Sequence, residues 1–97
     1  LDQIDAVVKK IRAQNANGRI FIIGLYNPYA NAPAGKLVTV MVNRWNAKLI
    51  DHFSSDPQVF VVQTVDIFAN HQRLAIDNFH PGDQGYELIA RRIADAI

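Results

Sequence analysis

The stretch Arg19-Ile20-Phe21-Ile22-Ile23-Gly24-Leu25-Tyr26 sets the architecture of this chain. Its apolar residues follow one another instead of alternating with polar ones, which is typical of a strand that is covered on both faces. A second run, rich in valine, begins at Val59 and extends to Phe68. We therefore predict two strands, over residues 19–26 and 59–68.

The segment between these strands has the spacing of a helix. Over residues 37–53 one helical face collects the apolar side chains Leu37, Val40, Met41, Trp45, Leu49 and Phe53. A strand, a helix and a strand in this order form a βαβ unit, which has a right-handed crossover and parallel strands. The same spacing predicts helices over residues 1–15 and 84–97. The expected class is α/β, with the order α-β-α-β-α.

The composition is that of one small globular domain. Of the 97 residues, 49% are hydrophobic and 20% are charged. The formal net charge of +1 gives no electrostatic reason to expect a nucleic acid partner. Cysteine is absent, which excludes disulfides and thiolate metal sites. Signal-peptide and membrane-spanning patterns are absent from these residues. The compartment stays open, with an extracytoplasmic parent protein as one option.

The loop Asp77-Asn78-Phe79-His80-Pro81-Gly82 before the last helix carries the candidate chemistry. An Asp-x-x-His step is short enough for the carboxylate of Asp77 to reach one imidazole nitrogen of His80. The other nitrogen then stays free to take a proton from a nucleophile, which is the acid–base half of a Ser-His-Asp triad. Pro81 has a fixed φ and no N–H, so we expect it in the first turn of the helix.

Other interpretations of these polar residues remain open from the residues alone. A histidine near an aspartate is often a hydrogen-bonded structural residue. Asp66 could reach a site at the end of the second strand, or it could cap the next turn. A metal site built from Asp66, His71, Asp77 and His80 is conceivable by ligand type. No pair among the four has a compelling ligand spacing, so we expect no metal.

The loop after the first strand is a candidate for substrate binding. Ligands of open parallel sheets bind beyond the carboxyl ends of the strands, where Asn27 and Tyr29 lie. An asparagine before a proline is also ordinary turn chemistry. Both interpretations of Asn27 stay open.

The C-terminal segment resembles the last motif block of the SGNH (GDSL) hydrolases. The family pattern is Asp-x-x-His-Pro, then glycine, an aromatic residue or histidine, and an apolar helix. It is matched in order by Asp77, His80, Pro81, Gly85, Tyr86 and Leu88-Ile89-Ala90. The resemblance implies part of a three-layer α/β/α, flavodoxin-like fold and a serine esterase or lipase without a cofactor. In that family role, His80 is the general base, Asp77 orients it, and the substrate is an ester of a lipid or an acylated sugar.

The nucleophile block of this family has no counterpart in the chain. The two serines, Ser54 and Ser55, belong to a turn signal and not to a Gly-Asp-Ser context. The chain starts at Leu1 and its single methionine is Met41. We therefore expect residues 1–97 to be the C-terminal half of an SGNH domain, with the serine upstream. An inactive fragment of this kind is expected to associate with itself or with the missing N-terminal half.

A second hypothesis has a different class of function. The chain could be a non-catalytic α/β interaction module that retains a vestigial site. An upstream serine in a Gly-Asp-Ser block of the parent protein would distinguish the two hypotheses.

Overall fold

Helices and strands alternate along the chain in the structure, a computed structural model that describes residues 1–97. The elements are α1 (Asp2–Gln14), β1 (Ile20–Ile23), α2 (Gly35–Phe53), β2 (Val59–Val62), α3 (Val65–Phe68) and α4 (Asp83–Ala96). A 3-10 turn at His71–Arg73 lies between α3 and α4. Apart from the inserted α3 and the 3-10 turn, the elements follow the predicted α-β-α-β-α order, and the class is mixed α/β.

The two strands pair in parallel, as the βαβ pattern predicts. The register runs from Ile20 opposite Val59 to Ile23 opposite Val62. Two strands form only a small sheet, so the three-layer flavodoxin-like arrangement stays a prediction for a larger protein.

One core cluster joins both strands to the first two helices. Its buried members are Val8, Ile20, Leu49, Phe53 and Val59. Ile22 and Val61 pack against the same cluster. Because side chains alternate along a strand, the opposite face carries Phe21 and Phe60, whose rings stack with centroids 5.3 Å apart.

The prediction of a second strand that extends to Phe68 is wrong beyond Val62. The chain leaves the sheet there and forms the short helix α3 at Val65–Phe68. Thr64 is fully buried just before this helix, and its hydroxyl donates to the carbonyl of Gly24 at 3.0 Å. The strand pairing ends at Ile23 and Val62, and the bond from Thr64 to Gly24 joins the two segments beyond that point.

The predicted buried face of α2 is also wrong in its first half. Leu37, Val40 and Met41 are exposed by 63%, 58% and 61%. The buried stripe is instead Gly35, Val42, Asn46, Leu49 and Phe53. The strands contact this rotated stripe, which leaves the apolar residues near the start of α2 without a covering element.

A second cluster holds the C-terminal part together. Ile67, Phe68 and Leu74 are buried there, and Tyr26, Leu88 and Ile89 pack around them. Gly85 lies close to this cluster, because a Cβ at that position would come within 2.6 Å of the Phe68 ring and 2.8 Å of the Arg73 carbonyl oxygen. A side chain at position 85 would therefore push α4 away from the preceding loop.

The grooves beside the two strands differ in character. Seven of the eight residues that line the groove between α1 and β1 are apolar, Gln3 being the exception. The groove beside β2 includes the polar residues Ser54, Asp56 and Gln63. Ile23, the last residue of β1, is 42% exposed.

None of the helices combines the length and the apolar character needed to cross a bilayer.

Candidate active site

The Asp-x-x-His step lies on a loop that its own backbone bonds close. An antiparallel bridge joins Leu74 to Pro81, and the N–H of Ala75 donates to the carbonyl of His80 at 2.8 Å. Pro81 is therefore in this bridge and not in the first turn of the helix. The N-cap of α4 is Gly82, whose N–H is bonded to the Arg73 carbonyl at 2.8 Å. The loop thus enters α4 with a fixed direction.

Asp77 and His80 contact each other within this loop. The distance from Asp77 Oδ2 to His80 Nδ1 is 2.5 Å. The other carboxylate oxygen, Oδ1, accepts hydrogen bonds from the backbone N–H groups of Phe79 at 2.9 Å and His80 at 3.0 Å. This is an Asx-turn, and Asn78 completes it with a φ of 57°, a left-handed conformation that asparagine tolerates. The sequence spacing of three residues is enough to bring the pair together.

The hydrogen bonds to Asp77 keep its carboxylate ionised. The bond with His80, together with the two backbone N–H donors, lowers the pKa of Asp77 to about 2. An ionised carboxylate is only an acceptor, so Nδ1 of His80 is the donor in this pair. The side chain of His80 is 66% exposed and that of Asp77 is 48% exposed. In the neutral imidazole, a proton on Nδ1 leaves the second ring nitrogen, Nε2, as the acceptor, and most of the ring is accessible.

One aromatic ring packs against the histidine, and a second packs against the first. The ring of Phe79 packs edge-on against His80 with centroids 5.1 Å apart, and Tyr29 packs edge-on against Phe79 with centroids 6.1 Å apart. Tyr29 and Phe79 are 48% and 45% exposed. The loop after β1 therefore lies beside the histidine loop, at the carboxyl edge of the strands.

Asn27 is buried inside its own loop. Its side-chain N–H groups donate to the Gly35 carbonyl at 2.9 Å and to the Thr39 hydroxyl at 2.8 Å. Its side-chain oxygen accepts from the N–H of Tyr29 at 2.8 Å. These bonds tie the loop to the start of α2 and fix the backbone of Tyr29. A role of Asn27 or Tyr29 in substrate binding stays a prediction.

Asp66 lies in the first turn of α3, as expected of a residue that caps the turn after the second strand. Its carboxylate forms a two-pronged ion pair with Arg92 of α4, at 2.7 and 2.8 Å. The bond with Arg92 lowers the pKa of Asp66. His71 is half-buried in the 3-10 turn. The structure contains no group of three His, Asp or Glu side chains that could hold a metal ion.

Both serines lie near the amino ends of the strands, whereas His80 lies near their carboxyl ends. Ser54 and Ser55 follow the end of α2, which precedes the amino end of β2. The histidine loop contacts Tyr26, which follows the carboxyl end of β1. Four residues of strand span about 13 Å. A hydroxyl of either serine is therefore beyond hydrogen-bond reach of His80 Nε2.

Asn46 is a buried residue that the sequence did not lead us to expect. The side chain of Asn46 is 3% exposed, accepts from the N–H of Leu25 at 2.9 Å and donates to the carbonyl of Leu25 at 2.9 Å. It thereby fixes the backbone where the chain leaves β1 toward Tyr26. The only signal for it is a polar residue three positions before Leu49, on a stripe that is otherwise apolar.

No protein-family model matches the chain. Over 100 residues it is 26% identical to the uncharacterized protein YpmR of Bacillus subtilis, with 98% of this chain and 39% of YpmR covered. Over 77 residues it is 30% identical to the spore germination lipase LipC of Bacillus licheniformis, with 77% of this chain and 34% of LipC covered. The chain therefore spans between a third and two fifths of the length of these curated relatives, and one of them is a lipase.

Proposed function

We propose that this chain is the C-terminal part of a serine esterase or lipase of the SGNH type. The observation that carries the proposal is the Asp77–His80 pair, with Nδ1 held at 2.5 Å by the carboxylate and an accessible ring. The order of residues from Asp77 to Ala90 and the similarity to a spore germination lipase support the same conclusion. That similarity does not favour the alternative of a non-catalytic module.

In the proposed reaction, His80 is the general base. Its Nε2 accepts the proton of a serine hydroxyl while the serine oxygen attacks the ester carbonyl, and it later returns the proton to the leaving alcohol. Asp77 holds the tautomer in which Nδ1 carries the hydrogen, and its negative charge stabilises the imidazolium that forms. A carboxylate with a pKa of about 2 stays charged throughout this cycle at neutral pH.

The nucleophile of the proposed reaction comes from a part of the parent protein outside these 97 residues. Ser54 and Ser55 are at the wrong edge of the sheet, and the two threonine hydroxyls already donate to backbone carbonyls, Thr39 to Gly35 and Thr64 to Gly24. A base without its nucleophile supplies little catalysis, because the members of a triad act as a unit. The isolated chain is therefore expected to be inactive.

The proposed substrate is a carboxylic ester with an apolar acyl or alcohol part. The exposed ring of Phe79 packs against His80 and that of Tyr29 packs against Phe79, so the two rings offer an apolar surface to such a group. The rest of the parent protein is the proposed packing partner of the chain, and the apolar groove between α1 and β1 is the surface that it covers. When that partner is absent, we propose that the same surface drives self-association.

Hydrolysis of p-nitrophenyl acetate tests the proposal, first with the 97-residue chain and then with the parent protein. We expect no turnover above background from the chain or from its His80→Ala variant. In the parent protein we expect His80→Ala to lower kcat by a factor on the order of 10⁴ to 10⁶.

The chain contains a matched control for this experiment. His52 also contacts an aspartate, Asp5, at 2.8 Å, but this pair joins α1 to the end of α2. His52→Ala in the parent protein is expected to keep its kcat. A parent protein that hydrolyses the ester equally well with and without His80 would refute the proposed function.

A further inference from the structure

The hydroxyl of Tyr26 donates to the backbone carbonyl oxygen of Phe79 at 2.7 Å. These residues are 53 positions apart, and the bond links the chain beyond β1 to the histidine loop. The ring of Tyr26 packs at a tilt against Phe68, with centroids 4.3 Å apart. Phe68 is only 2% exposed and belongs to the second core cluster. Tyr26 is therefore anchored in the core at one end and bonded to the loop at the other.

The bonded carbonyl belongs to the peptide group that leads into His80. The N–H of this same peptide group donates to Asp77 Oδ1 at 3.0 Å. Tyr26 thus holds the oxygen side of the Phe79–His80 peptide plane, and Asp77 holds its nitrogen side. A peptide plane held on both sides cannot rotate without breaking a bond. The Cα–Cβ direction of His80, and with it the approach of Nδ1 to Asp77, depends on that plane.

Apart from local backbone bonds, such as that of the Ala75 N–H with the His80 carbonyl, packing restrains the loop little at this point. The five residues from Ile76 to His80 are all exposed, and Ile76 is fully so. Burial raises the pKa of the Tyr26 hydroxyl, with smaller contributions from the nearby Tyr86 and Asp77. The hydroxyl consequently stays protonated and remains a donor at neutral pH.

We propose that Tyr26 is the positioning residue of His80: its hydroxyl holds the Phe79–His80 peptide group in the orientation that lets Asp77 bind Nδ1. Tyr26 acts through the loop and does not itself contact a reacting atom. The catalytic meaning of this role rests on the proposed function, whereas the orientation itself is a property of the 97-residue chain.

Tyr26→Phe tests the proposal, because it removes the hydroxyl and keeps the ring that packs on Phe68. Tyr86→Phe is the matched control, since Tyr86 is near Tyr26 but its hydroxyl has no hydrogen-bond partner in the chain. Both variants are made in the 97-residue chain. NMR then follows two signals, the titration of the Asp77 carboxyl and the downfield proton on Nδ1 of His80, while backbone amide spectra report whether each variant is folded.

We expect Tyr26→Phe to raise the pKa of Asp77 from about 2 by roughly half a unit, since the paired conformation then competes with open ones. We also expect the Nδ1 proton signal to broaden by exchange with water. Tyr86→Phe should leave both signals as in the unchanged chain. A folded Tyr26→Phe chain with the original titration and Nδ1 signal would overturn the proposal.

A second variant keeps the proposal testable if Tyr26→Phe does not fold. Phe68→Leu keeps the Tyr26 hydroxyl but loosens the packing that anchors its ring, so it should also raise the pKa of Asp77. A folded Phe68→Leu chain with the original Asp77 titration and Nδ1 signal would then overturn the proposal. Neither readout depends on ester hydrolysis. Failure of the proposed function, seen as hydrolysis that is insensitive to His80→Ala in the parent protein, is therefore distinct from failure of this inference.

Discussion

Replacing Asn46 by alanine gives the sharpest test of how the carboxyl end of β1 is held. The change removes two hydrogen bonds of 2.9 Å, one to the N–H and one to the carbonyl of Leu25. A neutral hydrogen bond contributes about 1 kcal/mol, and a buried partner left unpaired adds a similar cost. We therefore expect the free energy of unfolding to fall by about 2–3 kcal/mol. For a domain of this size, that corresponds to a Tm lower by roughly 10–20 °C.

Thermal and urea denaturation followed by circular dichroism measure this change. Asn43→Ala is the matched control, because Asn43 is on the same helix but exposed and without a side-chain hydrogen bond. We expect that variant to stay within about 0.5 kcal/mol of the unchanged chain. Equal stabilities of Asn46→Ala and Asn43→Ala would refute the reasoning, since the two bonds to Leu25 would then contribute nothing.

Asn46→Asp separates the two bonds. One carboxylate oxygen can still accept from the Leu25 N–H, but the other meets the Leu25 carbonyl, where two acceptors repel each other. The buried site then favours the protonated acid, which can donate to that carbonyl. We expect this variant to be less stable than the unchanged chain at pH 7 and to recover part of the difference as the pH falls from 7 toward about 4. A penalty that is independent of pH would contradict the assigned donor and acceptor.

Two further predictions concern the loop and the sheet edge. The folded-state pKa of Asp77 is about 2, below the ordinary value of 3.8. Its contribution to stability is therefore present above about pH 4 and is lost as the pH falls toward 2. We expect Asp77→Asn to lower Tm at pH 7 and to make the acid-induced fall in Tm smaller. Equal acid sensitivity of the two proteins in a Tm–pH series would contradict this. Ile23→Lys, at the apolar end of β1, is expected to reduce self-association of the chain in multi-angle light scattering. Ile50→Lys beside β2 is the control, since Ile50 is equally exposed at 42%. An equal effect of both lysines, or an unchanged chain that is monomeric, would contradict association through β1.

The local parts of the structure follow from the sequence. Asp77 and His80 are three residues apart, so the pair forms from the backbone of its own loop and could be predicted without any knowledge of the fold. The parallel βαβ unit follows in the same way, because its apolar runs and its helical spacing lie within one continuous segment.

Contacts between residues that are far apart in the sequence could not be predicted. Hydrophobic spacing selected Leu37, Val40 and Met41 as part of the buried face of α2. The observed buried stripe instead includes Asn46, whose side chain pairs with the backbone of Leu25, a contact that spacing along the helix does not reveal. The ion pair of Asp66 and Arg92 joins residues 26 positions apart, and neither residue alone indicates the other. The short helix α3 likewise begins after Thr64 because its hydroxyl meets Gly24 across the sheet.

The separation of the two core clusters has a consequence for hydrogen exchange. The first cluster holds the βαβ unit, and the second holds α3, α4 and Leu74, which precedes the histidine loop, with no buried residue in common. Regions with separate packing open as separate cooperative units. Amides of α4 and of the loop can therefore exchange with solvent while those of β1 and β2 stay protected. The order of the Asp77–His80 pair can then vary without unfolding of the sheet.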